Sequence, residues 1–237
     1  YASLNPVKTI DQILSDPFLF HRIAKNSTEA HKKVIDLLNG VGLTPADYFA
    51  NKYPFQLSGG QRQRVSIARA TILKPKLIIT DEPVSGVDSS LRIAILDLMR
   101  KLNEDHGIAF LYITHDLATA RYFGKGGKII VMYLGHIVEE GDVGEVIDNP
   151  RHPYLQALLS ALPPPDPKKA KIKKELPLKS LDMPDPTDPP PGCPFNPRCP
   201  YSEEICTEKN PELISLEKDK PHFVACHFEK TKIPLWK

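Results

Sequence analysis

Leu77-Ile78-Ile79-Thr80-Asp81-Glu82-Pro83 is a short apolar run closed by two adjacent carboxylates and a proline. Its length and composition are those of a parallel strand buried on both faces, and Pro83 ends it. On either side the period turns helical. Upstream, Val65, Ala68 and Ile72 share one face of a helix that Ser58-Gly59-Gly60-Gln61 opens and Pro75 closes. Downstream, Leu91, Ile95, Leu98 and Leu102 mark another helix. Ile108 to Ile113 and Lys128 to Tyr133 repeat the buried-strand pattern. Buried strands alternating with helices predict an α/β fold with a parallel sheet. Residues 1–56 read differently. Ala30, Val34, Leu37, Leu38 and Val41 recur at helical spacing, Gly40 and Gly42 supply the stop, and Thr44-Pro45 looks like the cap and first position of one more short helix.

Composition sets the outer limits. A chain of 237 residues, 41% apolar and 25% charged, has the make-up of an ordinary globular domain with an appendage. A net charge of +2 gives no global field for nucleic acid or an anionic membrane. No apolar run approaches the roughly 18–20 residues of a membrane span. The 24 prolines gather in the last third, and Pro163-Pro164-Pro165, Pro184, Pro186 and Pro189-Pro190-Pro191 predict an extended linker over 163–191. Within it, Lys168, Lys169, Lys171, Lys173 and Lys174 read as a solvated tether, with contact to anionic lipid headgroups as the alternative. All four cysteines lie at or beyond Cys193. With the core elsewhere, a metal site suits them better than the disulfide framework of a small secreted fold, so 192–237 is expected to be a small Cys-rich metal-binding module.

Three places carry chemistry. Ser58 and Gln61 have capping-box spacing, and Gly59 and Gly60 let the backbone approach a ligand at a helix start, where unpaired N–H groups and the helix dipole attract an anion. As a bare Ser-Gly-Gly this would be no more than a capped helix; Gln61-Arg62-Gln63-Arg64 following directly favours the anion site. Asp81 and Glu82 sit where ligands bind in open α/β sheets, beyond the carboxyl end of a strand. There one carboxylate can hold Mg²⁺, directly or through water, while the next orients and polarises an attacking water. The bland alternative for the pair is a turn and a cap. His115, in Tyr112-Ile113-Thr114-His115-Asp116, ends the next strand at the same rim as Glu82, placed to hydrogen-bond a γ-phosphate or the attacking water.

Taken together these motifs resemble the ABC-transporter ATPases. Leu57-Ser58-Gly59-Gly60-Gln61 matches the signature motif and Leu77 to Glu82 looks like Walker B with its catalytic glutamate. Ser85-Gly86-Val87-Asp88 resembles the D-loop, with Gly-Val where Ala-Leu is commoner, and Thr114-His115-Asp116 matches the switch histidine. Asn149-Pro150-Arg151-His152-Pro153-Tyr154, with Leu158 and Leu159, is similar to the His-Pro-Tyr segment of oligopeptide and dipeptide transporter ATPases. Tyr1-Ala2-Ser3 and Pro83-Val84-Ser85 lean towards the second of the two paired subunits of such systems.

The resemblance implies an ABC-type nucleotide-binding domain with a helical subdomain over 1–56, the rest of the ATPase core over 57–162, the linker and the Cys-rich module. It implies an ATPase powering peptide transport from the cytoplasmic face of the membrane. Asp81 would serve Mg²⁺, Glu82 and His115 catalysis, and Ser58, Gly59, Gly60, Gln61 and Asp88 the ATP of a partner. The partners would be a paralogous ATPase in a head-to-tail dimer, two transmembrane permease subunits and, indirectly, an external peptide-binding protein. Two other readings stand beside it: a non-catalytic subunit supplying only a signature helix and metal module, and an ABC ATPase acting on DNA, which the near-neutral charge disfavours.

No Gly-x-x-x-x-Gly-Lys-Ser/Thr occurs in the sequence. The expectation is that the phosphate loop and the Q-loop glutamine belong to an N-terminal part preceding Tyr1, and that residues 1–237 alone do not hydrolyse ATP.

Cys193, Cys199, Cys206 and Cys226 contain no pair at the close spacing, about two to four residues, of a zinc knuckle. Four thiolates suit one cubane, and the resemblance implies a four-iron, four-sulfur cluster acting as a structural staple. Zinc is the alternative, and disulfides or free thiols remain open.

Overall fold

Capping decides where the first helices begin. In the computed structural model, which describes residues 4–162, 176–215 and 221–228, Thr9 and Gln12 cap each other's backbone ahead of α1 (Ile10–Phe20). Asn26 caps α2 (Ser27–Gly40) through its side chain. Ala30, Val34 and Leu38 of α2 are fully buried, as the helical spacing requires, and Gly42 follows with a φ of 73°. Pro45 stands just outside α3 (Ala46–Ala50) as its N-cap rather than as its first residue. A single 3-10 turn, Pro54–Gln56, leads to α4 (Gly59–Thr71).

The chain divides into two units, Tyr1–His115 and Asp116–Lys237. In the first, α4 is followed by β1 (Leu77–Asp81), α5 (Ser89–His106) and β2 (Ala109–Ile113). Gly107, in the left-handed region, ends α5. The strands pair in parallel, Leu77 opposite Ala109 and Asp81 opposite Ile113. This is the expected helix-connected parallel pair.

The expectation of burial on both faces fails. Leu77, Ile79, Leu111 and Ile113 share one face in register and are 47–64% exposed, whereas Ile78 is buried. Period-2 geometry sends alternate side chains to opposite faces, and only the Ile78 side is covered.

The second unit holds α6 (Leu117–Phe123), β3 (Lys128–Tyr133), β4 (His136–Asp142), α7 (Val143–Asp148), α8 (Pro153–Ala161), α9 (Glu204–Glu208), β5 (Ile214–Ser215) and β6 (Phe223–Val224). Lys128 to Tyr133 is a strand, but it does not join β1 and β2. It pairs antiparallel with β4 in a separate sheet of order β3-β4-β6-β5 among the described residues. The reason is local: Leu134 and Gly135 both have positive φ, which makes the two-residue turn that folds a strand back on itself.

The cysteine-bearing segment shares this unit's core. Cys193, Phe195, Cys199 and Cys206 are buried with Val131, Tyr133, Val138, Val146 and Leu155, and β6 adds to β4 through Glu139–Val224 and Glu140–Phe223. Residues 176–191 form no helix or strand, as their prolines dictate, yet Lys179 N–H donates to the Arg198 carbonyl and fastens them alongside. Pro163-Pro164-Pro165 and the lysine cluster 168–174 lie outside the described residues.

Candidate functional site

At the carboxyl end of β1 the backbone turns sharply. Glu82 has a φ of 47°, an uncommon conformation for a non-glycine residue, of the kind that clusters at functional sites. Its N–H donates to the Ile113 carbonyl at 3.0 Å, carrying the β1–β2 ladder one residue further. Its carbonyl accepts from Ser85, whose hydroxyl lies 3.0 Å away. The side chain is thereby turned across the strand ends. Glu82 Oε1 accepts from the His115 backbone N–H at 2.8 Å and lies 2.6 Å from His115 Nδ1. The two residues placed at one rim by sequence are therefore in direct contact. The His115 side chain is 81% exposed and that of Glu82 30%, so a ligand can reach both. Asp81, exposed, stands beside them at the strand end.

The start of α4 is built as its spacing predicts. Ser58 Oγ accepts from Gln61 N–H at 3.3 Å and Gln61 Oε1 accepts from Ser58 N–H at 2.9 Å. A feature that sequence reading missed sits beneath it. A Cβ on Gly60 would lie 3.1 Å from Leu91 Cδ1 and 3.7 Å from Val87 Cγ1. The helix start thus packs closely against the Ser85–Asp88 turn and the first turn of α5 at Gly60. Asp88 stands as the N-cap residue of α5 but makes no cap hydrogen bond with its side chain, which leaves that carboxylate for other work.

The second unit gathers a different set of groups. Cys193, Cys199, Cys206 and Cys226 line one cavity together with His152 and Phe195, and none of the four is in a disulfide. Burial pushes the Cys199 thiol up to about 12; the Tyr201 backbone N–H bonded to the sulfur opposes this, and the other three cysteines add to it. Burial raises Cys193 too, against the Phe195 N–H on its sulfur. Among the described residues no group of three or more His, Cys, Asp or Glu side chains is placed to hold a metal ion as it stands.

Next to the cavity lies a network that nothing in the sequence announced. Glu139, fully buried, accepts from Arg151 N–H and His152 N–H at 2.8 Å each and lies 2.7 Å from His222 Nε2. One carboxylate thus joins β4, the start of α8 and the residue just ahead of β6. His152 caps α8, its Nδ1 accepting from Tyr154 N–H at 3.1 Å. Burial holds the His152 ring down at about 3, so it stays neutral. Tyr133, Tyr154 and Phe195 form an aromatic cluster around it, with ring centroids 4.7–5.6 Å apart.

Two family profiles match the chain. A family profile described as "ABC transporter" matches residues 3–85 and one described as "Oligopeptide/dipeptide transporter, C-terminal region" matches 138–206. The chain is 44% identical over 227 residues to the oligopeptide transport ATP-binding protein AppF of Bacillus subtilis, an alignment covering 96% of the chain and 67% of that protein. It is 42% identical over 225 residues to the oligopeptide transport ATP-binding protein OppF of Escherichia coli, covering 95% and 65%. The dipeptide transport ATP-binding protein DppF of the same organism is 41% identical over 215 residues, covering 90% and 61%. The chain therefore spans about two thirds of the length of these relatives. Among solved structures, the dimeric post-hydrolysis state of the ATP-binding cassette MJ0796, bound to ADP and Pi, is 37% identical with a TM-score of 0.52, covering 60% of this chain and 59% of that one.

Proposed function

The chain belongs to the ATP-binding proteins of oligopeptide and dipeptide ABC transporters, and on that footing we propose that it binds and hydrolyses ATP to drive peptides across the cell membrane. The observation that carries this reading is the Glu82–His115 contact at the carboxyl ends of two parallel strands. Glu82 orients the attacking water and accepts its proton. His115, at present bonded to Glu82, turns to the γ-phosphate or the water when nucleotide fills the rim. Asp81 would hold Mg²⁺, which neutralises charge on the phosphates.

Ser58, Gly59, Gly60 and Gln61 at the α4 start, together with Asp88, face the nucleotide of a paralogous ATPase subunit packed head to tail. The helix N-terminus supplies N–H donors and a favourable dipole for its phosphates. The exposed helices of 4–56 meet two transmembrane permease subunits. These would hold the protein at the cytoplasmic face of the membrane, with an external peptide-binding protein reached only through them. No helix among the described residues is long and apolar enough to cross a membrane.

The four cysteines suit a four-iron, four-sulfur cluster better than zinc. The four cysteines line one cavity, and their sequence spacing lacks the close pair, about two to four residues apart, usual in structural zinc sites. A cubane takes one thiolate at each of four separated irons. Sulfurs that receive backbone N–H groups, as those of Cys193 and Cys199 do, suit such a group. When bound, it would cross-link the segment to the core that the segment already shares.

The test of the ATPase reading is Glu82→Gln in the assembled ATPase pair. Hydrolysis at this site is expected to fall by about 10²–10⁴-fold, while ATP still draws the two subunits together. Undiminished steady-state hydrolysis, with the other site silenced, removes Glu82 from the role.

A further inference from the structure

We propose that His152 is a positioning residue of the cysteine site, donating a hydrogen bond from Nε2 to a sulfur of the group that the four cysteines hold. This rests on the cluster reading above. His152 Nδ1 accepts from Tyr154 N–H, and an imidazole that accepts at Nδ1 carries its proton on Nε2. The ring is 1% exposed, lines the same cavity as Cys193, Cys199, Cys206 and Cys226, and packs against Phe195 with centroids 5.7 Å apart. It cannot swing away. Its own N–H is pinned to Glu139 Oε2 and its Nδ1 to the first turn of α8.

Capping α8 explains one nitrogen of His152 and needs no imidazole, since asparagine or serine caps as well. What the cap leaves unexplained is a second, donor nitrogen on a ring that lines a cavity of sulfurs. His227, the other histidine at that cavity, turns its Nε2 to the Lys209 carbonyl instead. The sulfurs of Cys193 and Cys199 already receive backbone N–H groups, and His152 extends that set with a side-chain donor. Donors around ligand sulfurs hold the ligands in place and raise the reduction potential of the group they bind. The histidine of the His-Pro-Tyr segment thus serves the cysteines rather than the nucleotide.

Two substitutions separate the roles. His152→Asn keeps a capping oxygen and removes the Nε2 donor; His152→Gln places an amide N–H near the Nε2 position at the expense of the cap. In protein prepared without oxygen, H152N is expected to match the wild type in thermal unfolding of α8 but to lose iron to a chelator about 10-fold faster, with a more negative midpoint potential. H152Q is expected to lose iron at the wild-type rate. H152N indistinguishable from wild type in both iron release and potential overturns the proposal. Should H152N fail to fold, wild-type protein labelled with ¹⁵N-histidine decides the matter: the reduced cluster must show a hyperfine coupling to an imidazole nitrogen, and no coupling overturns it. Wild-type protein free of iron and acid-labile sulfide fells the cluster reading itself, and this inference with it.

Discussion

The two units treat ionisable groups in opposite ways. In Tyr1–His115 the side chains proposed to serve the nucleotide lie open: Asp81, Asp88 and His115 are exposed, and Glu82 is half-buried. In Asp116–Lys237 the corresponding groups are inside: Glu139, His152 and His222 are buried and three of the four cysteines with them. On the proposed reading the rim takes up and releases a phosphate, which needs solvated groups whose bonds exchange easily. Groups that never meet a ligand from solution can be buried, but each then needs a permanent partner. The Glu82 carboxylate bonds to His115, which it can give up. Glu139 has Arg151, His152 and His222, and removing it strands all of them.

That contrast breaks most readily at the carboxylates. Glu139→Ala is expected to destabilise its unit by about 3–5 kcal/mol, because it leaves the Arg151 and His152 N–H groups and the His222 ring without their buried partner, at about 1–3 kcal/mol for each stranded group, read as a drop in the denaturant midpoint. Glu82→Gln, by contrast, is expected to leave stability within about 0.5 kcal/mol and to reduce only hydrolysis. Equal stability losses at the two positions would erase the distinction.

Acid sharpens it. The neutral His152 has a folded value of about 3, below the ordinary 6.5. The unfolded chain therefore binds a proton between those limits that the folded chain refuses. Stability from this residue is full above pH 6.5 and declines as pH falls toward 3, by roughly 1.4 kcal/mol per unit. Denaturant curves from pH 7 to 4 are expected to show that slope in the wild type and to lack this part of it in His152→Asn.

The smallest effect is expected at Gly60→Ala. The new methyl meets the tip of Leu91 at 3.1 Å, a flexible neighbour, while alanine gains helix propensity. The net change is expected to stay within about 1 kcal/mol by thermal unfolding. A larger loss would mean that Leu91 is locked against α4.

Residues adjacent in sequence announced most of the first unit. Ser58 and Gln61 cap each other because their spacing permits it, β1 and β2 pair in parallel because a helix joins them, and Glu82 meets His115 because both end neighbouring strands. The exposed face of Leu77 and Ile79 was not legible, since an apolar run reports side-chain type and not what covers it. The second unit was harder for a physical reason. Lys128 to Tyr133 is apolar without alternation, so its period does not separate a parallel strand from a hairpin arm. The signal that could have decided it was Leu134-Gly135, a two-residue turn ahead of His136. The Glu139–His222 bond joins positions 83 residues apart, and no local pattern carries that information. The sequence suggested a separate cysteine module; the shared core appeared only once Cys193 and Phe195 were seen beside Val131 and Tyr133.

The same long-range bond sets an order in time. A ribosome releases β3 and β4 well before it reaches His222 and β6, so Glu139 waits through that interval without its histidine, and the Glu139–Glu140 edge of β4 waits without its strand. Contacts this distant in sequence form slowly because the intervening loop must close first. Asp116–Lys237 is thus completed from its far end, and a nascent chain stopped between Ala161 and His222 carries an open strand edge, the surface on which unfinished proteins associate.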